Sequence, residues 1–593
     1  MTSLIIAGVA EVLARRSSAT LCGAGLALVD SVDAATLERC VGDASAVLEP
    51  FSATTMPAAE LLGVVYESLL ESDNRRRDGA HYTPSAVASR LVAIVIDGWS
   101  QPIASVEGSG PLVLDPAMGG GAFLVAAARQ LASSGGPWRF DRLAGRDIDP
   151  TAVMVTEAAL ALLAIEFGVP PATANAADLV VADALVEPLP VADCVVGNPP
   201  FQNQLRESTV NDGARRAFLK ERFGAAATAY TDSASLFLLA ALDALAPGGR
   251  MSLIQPQSLL ASRDASVTRR LLVERATMLG MWFSAEPVFD ASVRVCAPLI
   301  TRGGRADSLQ RWTGPAVDPA SNLTLDEPIA ANWGYLVADL AGIPPVSLTR
   351  SGHRLDSIAS ATAGFRDQFY GFVPHTREQE APTDPDPWLV TVGMIDPLVQ
   401  RWGTASFRFA KTSWKRPVVD MASLESADAA LATWAHDRLC PKVVVATQTK
   451  VVEVAVDAEG RWLPVTPGIS VEPRDPADVW RLAALLSAPE ISAHLHIAGL
   501  GTALSVDAMK MSASALEALP LPVDAGAWTE GAELTKAAVA AAAGGDPDQW
   551  SKLLYNLGTV MQRAYGSESS AVQAWWMNRL PRWRIPAASG PAV

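Results

Sequence analysis

Residues 111–123 read PLVLDPAMGGGAF: an apolar run, then Asp115, a proline and three consecutive glycines, Gly119, Gly120 and Gly121, leading into the helix-forming FLVAAARQLA. The apolar run has the length and texture of a buried strand. The glycines permit a tight turn and let the backbone approach a ligand closely at a helix N-terminus. Many nucleotide-binding folds share such a turn, so the stretch alone leaves the ligand open. Working outward, the same grammar repeats in FDRLAGRDIDP, DLVVADAL, ADCVVGNPPF and GGRMSLIQPQS, each a buried strand running into a loop at its carboxyl end. The helical stretches PTAVMVTEAALALLAIEFG and SASLFLLAALDALA lie among them. Strands without polar alternation, separated by helices, imply an α/β fold with a doubly wound parallel sheet whose ligands bind beyond the strands' carboxyl ends.

The residues at those ends are chemically coherent. Asp147 stands twenty-six residues after Gly121, at the end of the second strand, where a carboxylate suits ribose hydroxyls. Asp183 ends the third, where it can accept from an adenine amino group. Three acid-ended strands around one Gly-rich loop would hold an adenosine with a positively charged neighbour such as a sulfonium. The fourth strand ends in Asn198, Pro199, Pro200 and Phe201. Two prolines remove two N–H donors and fix φ, so the Asn198 side chain and a nearby carbonyl project as a rigid acceptor pair. That pair suits an exocyclic NH2 group, whose lone pair becomes available for attack on a methyl group once both hydrogens are held. Phe201 would stack on the ring carrying the amine.

Composition sets the outer limits. The 593 residues are 49% hydrophobic and 19% charged, which excludes a disordered chain. With 63 acidic against 47 basic side chains and a net charge of -16, nonspecific coating of nucleic acid or anionic lipid is not expected. Five scattered cysteines give neither a disulfide framework nor a zinc ribbon, and the lone close histidine pair, His494 and His496, does not make a metal site. No metal is expected. No stretch reads as a membrane helix, and the N-terminus lacks a secretory signal, so the expected compartment is the cytoplasm.

DPAMGGGAF, GRDIDP, ADAL and GNPPF in this order resemble the S-adenosylmethionine-dependent amino-methyltransferases. With LGVVYESLL and GAHYTPSAVASRLV upstream, the chain resembles the gamma-ordered DNA adenine-N6 methyltransferases of type I and type IIG restriction-modification and related phage-defence systems, over about residues 60–300. The resemblance implies a Rossmann-like methyltransferase domain, S-adenosylmethionine as cofactor, double-stranded DNA as partner and N6 of a flipped-out adenine as target. It implies that Thr83 touches the methionine part of the cofactor, with Asp115, Ala117, Gly119 and Gly121 around it. Asp147 would hold the ribose and Asp183 the adenine amine, while Asn198, Pro199, Pro200 and Phe201 carry the chemistry. Phe289 stands where the family supports the extruded base, although a core role is an equal reading. His81 has no duty that can be derived from the residues.

The expected organisation is a helical N-terminal segment (1–75), the methyltransferase domain (76–300), a Pro- and Asp-containing connector (301–345), a mixed α+β target-recognition domain (346–530) and a helical tail (531–593). Within the fourth part, KVVVATQTKVVEVAVDAEGRWLPVT reads as a hairpin turning at DAEG. The stretch RWGTASFRFAKTSWKRP is acid-free and joins Arg401, Arg408, Lys411, Lys415 and Arg416 to aromatics including Trp414, which fits phosphate contact and stacking as well as it fits a solvated strand edge with core aromatics. Residues 401–420 carry 5 basic side chains against 1 acidic, whereas residues 1–80 carry 11 acidic against 6 basic. Arg75, Arg76 and Arg77 read as an exposed helix end that also has the charge to touch a DNA backbone.

Three function classes stay open at this level: a DNA adenine methyltransferase, the same NPPF chemistry on RNA guanine or protein glutamine, and a partner-dependent DNA-recognition subunit. The roughly 60 residues before the resemblance are too few for a nuclease of the usual domain size, so cleavage is expected of a separate restriction or defence-complex subunit.

Overall fold

The computed structural model describes residues 2–52, 54–70, 83–99, 110–133, 139–201, 212–228, 231–289, 293–329, 332–346, 348, 351–364, 366–503 and 507–582. His81 and Arg75, Arg76 and Arg77 lie outside the described residues. The chain forms two compact units, Met1–Leu340 and Ala341–Val593.

Unit 1 is built on one ten-stranded sheet of β1 (Val113–Asp115), β2 (Leu143–Asp147), β3 (Asp178–Val181), β4 (Ala192–Gly197), β5 (Leu245–Leu253), β6 (Gln255–Pro256), β7 (Thr277–Phe283), β8 (Val295–Thr301), β9 (Ser308–Thr313) and β10 (Asp318–Thr324). The strand order is β10-β9-β7-β8-β5-β4-β1-β2-β3, with β6 paired to β8. The run from β3 to β5 is parallel throughout, whereas β8 enters antiparallel to both β5 and β7. Strand order reverses at β1, between β2 and β4, and a doubly wound sheet opens its ligand crevice at such a switch point.

The helix Pro150–Glu166 shows why the sheet is covered as it is. Its sequence has no polar face, and residues such as Val155, Leu160, Leu163 and Ala164 are all buried. A helix apolar all round must be packed on all sides. This one touches β2 and β3 as well as the helices Thr2–Arg16 and Ala58–Leu69. The N-terminal helices therefore share the sheet's core, in which Ile6, Leu62 and Val65 lie with Val113, Leu124 and Val196. Glu11, fully buried among them, is satisfied by the Thr20 hydroxyl at 2.7 Å and the Leu21 N–H at 2.9 Å.

Unit 2 is mixed α+β. One antiparallel sheet runs Ala359–Ala363, Ile469–Pro473, Lys442–Ala446, Glu453–Asp457; a second joins Thr376–Glu378, Pro417–Val419, Trp388–Val390 and Trp462–Pro464. The Lys442 ammonium, fully buried, meets Asp457 Oδ2 at 2.6 Å and also donates to the Arg438 and Cys440 carbonyls, which compensates its removal from water. Helices Ala525–Ala543, Pro547–Ala564 and Ser570–Arg579 close the described chain.

Three expectations need correction. The stretch read as a connector carries β9 and β10, which extend the sheet of unit 1; in β9, Leu309 and Arg311 alternate inward with exposed Ser308 and Gln310, a period-two signal that the neighbouring Pro and Asp residues masked. DAEG does turn the chain, but not into a hairpin: Glu453–Asp457 pairs back with Lys442–Ala446, and Trp462–Pro464 joins Trp388–Val390 in parallel. Asp457 explains the parting, since its carboxylate takes the Arg461 and Trp462 N–H groups and leads the chain away from the sheet it has just left. The closing helices begin at Ala525 rather than at 531, with Asp524 capping Ala527 N at 3.0 Å.

Candidate active site

The carboxyl ends of β1, β2 and β4 enclose a cavity of about 200 Å3 in unit 1. β1 delivers Asp115, which is 1% exposed. Its Oδ1 accepts the Ala117 N–H at 3.0 Å, and its Oδ2 has no hydrogen-bond partner among the described residues. Burial, opposed only by that N–H and reinforced by nearby Asp147, pushes its pKa up to about 8. On the adjacent strand a side chain at Gly197 would meet Asp115 Oδ1 at 2.6 Å, so the carboxylate occupies space that only glycine leaves.

The Gly-rich loop is held by the end of β2. Asp147 accepts the Gly119 N–H at 2.9 Å through Oδ2 and the Asp149 N–H at 2.9 Å through Oδ1, and burial raises its pKa. The loop is roofed by the helix Ala58–Leu69, where Gly63 lies so near Gly120 that a Cβ at 63 would stand 2.9 Å from the Gly120 carbonyl oxygen. Farther along that helix Tyr66 donates its hydroxyl to Asp149 Oδ2 at 2.7 Å, while Asp149 Oδ1 caps the next helix at Thr151 N. Burial first, and Asp149 second, hold the Tyr66 phenol far above its usual range.

β4 brings in the asparagine. Asn198 Nδ2 donates to the Thr83 hydroxyl oxygen at 3.1 Å. Pro200 is fixed from the other side, its carbonyl accepting the Ser233 hydroxyl at 2.7 Å at the start of the helix Ser233–Ala244. Phe201 packs half-buried against the core of unit 1.

Thr83, Asp115, Ala117, Gly119, Asp147, Asn198 and Pro200 thus line one cavity, with Gly121 in its loop. Asp183 does not line it. Its Oδ2 meets Arg215 Nε at 2.8 Å and its Oδ1 takes the Leu185 N–H. Phe289 is buried in the core cluster beyond β7. Sequence reasoning passed over Tyr66, Glu67, Ile148 and Asp149, all of which line the cavity. The signal for Ile148 was present: an apolar residue between two acids at a strand's carboxyl end, here 72% exposed. Carboxylates of Glu60, Glu67, Asp115, Asp147 and Asp149 line the wall, with no lysine or arginine among the described lining residues. Such a wall favours a cation.

Residues 58–310 match the model of the N-6 DNA methylase family. The match covers rather less than half of the chain. The matched segment contains every residue that lines the cavity just described. No curated protein sequence matches the chain significantly. Among solved structures the fold is similar to that of the Type IIL restriction-modification enzyme MmeI in complex with DNA, at a TM-score of 0.60 and 15% identity over 92% of this chain and 83% of that one. It is also similar to DrdV in its DNA complex, at a TM-score of 0.51 and 12% identity over 86% of this chain and 62% of that one. The likeness in fold therefore extends beyond the methylase domain.

The basic stretch lies in unit 2 as a two-stranded ribbon, Phe407–Phe409 against Thr412–Trp414. Arg408, Lys411, Lys415 and Arg416 are exposed. Arg401 is turned inward: it pairs with Asp396 at 2.8 Å and sits over the Phe407 ring at 5.3 Å. Trp414 packs against a core cluster of unit 2. Among the described residues no group of three or more His, Cys, Asp or Glu is placed to hold a metal ion, and no helix is long and apolar enough to cross a membrane.

Proposed function

We propose that the protein is a site-specific DNA methyltransferase that methylates N6 of a flipped-out adenine, serving as the modification component of a restriction-modification or related phage-defence system in the cytoplasm. The observation that carries this reading is the position of Asn198 of NPPF on the same cavity wall as Asp115, its amide oriented by Thr83.

The cavity suits S-adenosylmethionine. The buried, half-satisfied Asp115 and the acidic wall fit its cationic groups, and exposed Ile148 offers an apolar surface to its flat ring. When bound, the cofactor supplies an electrophilic methyl group. Asp115 and the glycine loop would hold its methionine end and Asp147 its ribose, whereas Asp183, paired with Arg215 away from the cavity lining, is left out of the assignment. Asn198 Oδ1 and the Pro199 carbonyl would accept the two hydrogens of the target amine, freeing its lone pair; as the N–C bond forms, the S–C bond to the methyl group breaks with its electron pair returning to sulfur, and one amine proton passes to solvent. Phe201 stacks on the extruded base, and Phe289 backs it from the core. Extrusion costs a few kcal/mol, so the duplex must be gripped elsewhere; unit 2 would do this, with the exposed cations near 401–416 as the leading contacts. The solved structure of MmeI with DNA supports assigning duplex DNA as partner, and a separate restriction subunit remains part of the proposal.

The test is incubation with labelled S-adenosylmethionine and plasmid DNA, with modification-sensitive sequencing of the product. N6-methyladenine within one short recurring sequence is expected; transfer to RNA or protein alone would overturn the reading.

A further inference from the structure

We propose that the ribbon Phe407–Phe409/Thr412–Trp414 is the element of unit 2 that enters a groove of duplex DNA, with Arg408 and Ser413 facing base edges and Lys411 and Lys415 gripping flanking phosphates. The inference rests on the reading of the protein as a DNA methyltransferase and adds which of the residues near 401–416 touch the duplex and which cannot.

The register divides the ribbon into two faces. Phe407 stands opposite Trp414, Arg408 opposite Ser413 and Phe409 opposite Thr412, so Arg408 and Ser413 share one face and the aromatics share the other. Phe409 is buried and packs on Phe369 at 4.8 Å between ring centroids. Trp414 lies half-buried against the same cluster. The aromatic face is the anchor. The outward face, continued by Ser406 and Lys415, carries hydroxyls and cations and no acid. A binder of single strands turns its aromatics outward for base stacking. This ribbon turns them inward, which favours a duplex, whose major groove, about 12 Å wide, admits a two-stranded β-ribbon.

Charge points the same way. In this acidic chain the cations of unit 2 commonly have carboxylate partners: Arg377 with Asp384 and Asp386, Arg438 with Glu472, Arg481 with Asp478, Arg563 with Glu530. At the ribbon's base Arg401 is likewise paired with Asp396 and donates to the Gly393 carbonyl. Arg408, Lys411, Lys415 and Arg416 have no such partner among the described residues. The nearby Glu378 carboxylate instead accepts the backbone N–H groups of Lys415 and Arg416, bracing the ribbon without neutralising its side chains. Four cations on one strip, their side chains without a carboxylate partner among the described residues, are complementary to a polyanion.

The turn adds a separate sign. Ala410 and Lys411 form the two-residue loop with φ of 49° and 69°, both in the left-handed region. Asn-Gly is the residue pair that adopts such a loop most easily. The chain holds an alanine and a lysine there instead, which places a charge at the tip in a backbone conformation that lysine disfavours.

The experiment uses the full-length chain and a labelled pool of duplexes of randomised sequence, with the matching single strands as a second probe. The double replacement Ala410→Asn with Lys411→Gly makes the turn easier while removing the tip charge. It is expected to melt no lower than wild type, to bind S-adenosylmethionine equally, and yet to bind the duplex pool more weakly, with a log-log salt slope shallower by about 0.9. Lys415→Ala is expected to do the same without the gain in the turn. Arg408→Ala is expected to broaden the methylated sequence at one base position, by roughly tenfold in discrimination. Affinity, slope and sequence profile unchanged across these variants would overturn the ribbon assignment, as would equal losses on the single strands. The two proposals separate cleanly: if wild type binds duplex and the variants lose it but no adenine is methylated, the ribbon stands and the enzymatic reading falls. If wild type methylates adenine and the variants match it, the ribbon falls alone.

Discussion

Asn198 donates its side-chain amide to the hydroxyl oxygen of Thr83 at 3.1 Å, a bond between the end of β4 and the residue two positions before the helix Ser85–Ile96. With Nδ2 committed there, the carbonyl end, Oδ1, is the one turned from Thr83. That is the end an amine hydrogen requires. Thr83→Val keeps the shape and removes the acceptor; a hydrogen bond of this kind contributes about 1 kcal/mol, so the single-turnover rate is expected to fall several-fold to tenfold with cofactor affinity nearly unchanged. Thr83→Ser should restore the rate. A raised cofactor Kd with an unchanged rate would place Thr83 on the cofactor alone.

Asn198→Ala removes the acceptor itself. Methyl transfer is expected to drop by at least about a hundredfold, the scale seen when one preorganised transition-state contact is deleted, while calorimetric binding of S-adenosylmethionine persists. Transfer near the wild-type rate would sink the catalytic assignment.

Asp115 sets a pH dependence whose sign is fixed by its raised pKa of about 8. The folded protein holds a proton that the unfolded chain releases near the usual carboxylate value of about 4. Its contribution to stability is therefore full below about pH 4 and is lost as pH rises toward about 8. Asp115→Asn should flatten that slope, raising the thermal midpoint at pH 8 relative to wild type. A cationic cofactor favours the ionised form, so binding near pH 7 should release a proton, detectable by calorimetry in buffers of different ionisation enthalpy. Proton release undiminished in the Asn variant would remove Asp115 from this role.

Gly63→Ala tests the roof of the cavity. The new methyl would stand 2.9 Å from the Gly120 carbonyl oxygen, between two backbones that must separate to admit it. A loss of about 1–3 kcal/mol is expected from such overpacking, with weaker cofactor binding because the helix carrying Tyr66 and Glu67 moves with it. Unaltered melting and binding would show that the helix does not close the site.

Much of the methylase domain was legible because buried parallel strands leave unbroken apolar runs. PLVL, RLAG and ADCVVG announce β1, β2 and β4, and the loop after each run falls at the ligand end of the sheet by topology alone. The bond between Thr83 and Asn198 was not legible, since nothing local to either residue predicts which hydroxyl an amide will find across the fold. Nor were the contacts from Tyr66 to Asp149, which depend on how a helix lies over a loop. In unit 2 the composition of 401–416 was plain, but its orientation was not: a period-two ribbon spaces Phe407, Phe409 and Trp414 onto one face only once the turn at Ala410 and Lys411 is known. Arg401 looked like its neighbours until Asp396 was found beside it.

The contact between Gly197 and Asp115 has a consequence for inheritance and for engineering. The two residues end neighbouring strands that lie far apart in the chain, and the carboxylate of one fills the place where the other would carry a side chain. A transplanted β4 that brought its own asparagine and prolines but any residue other than glycine before them would displace the acid on β1 before its asparagine met a substrate. A target motif can therefore be exchanged between relatives without disturbing the cofactor loop only where it brings a glycine at the place of Gly197.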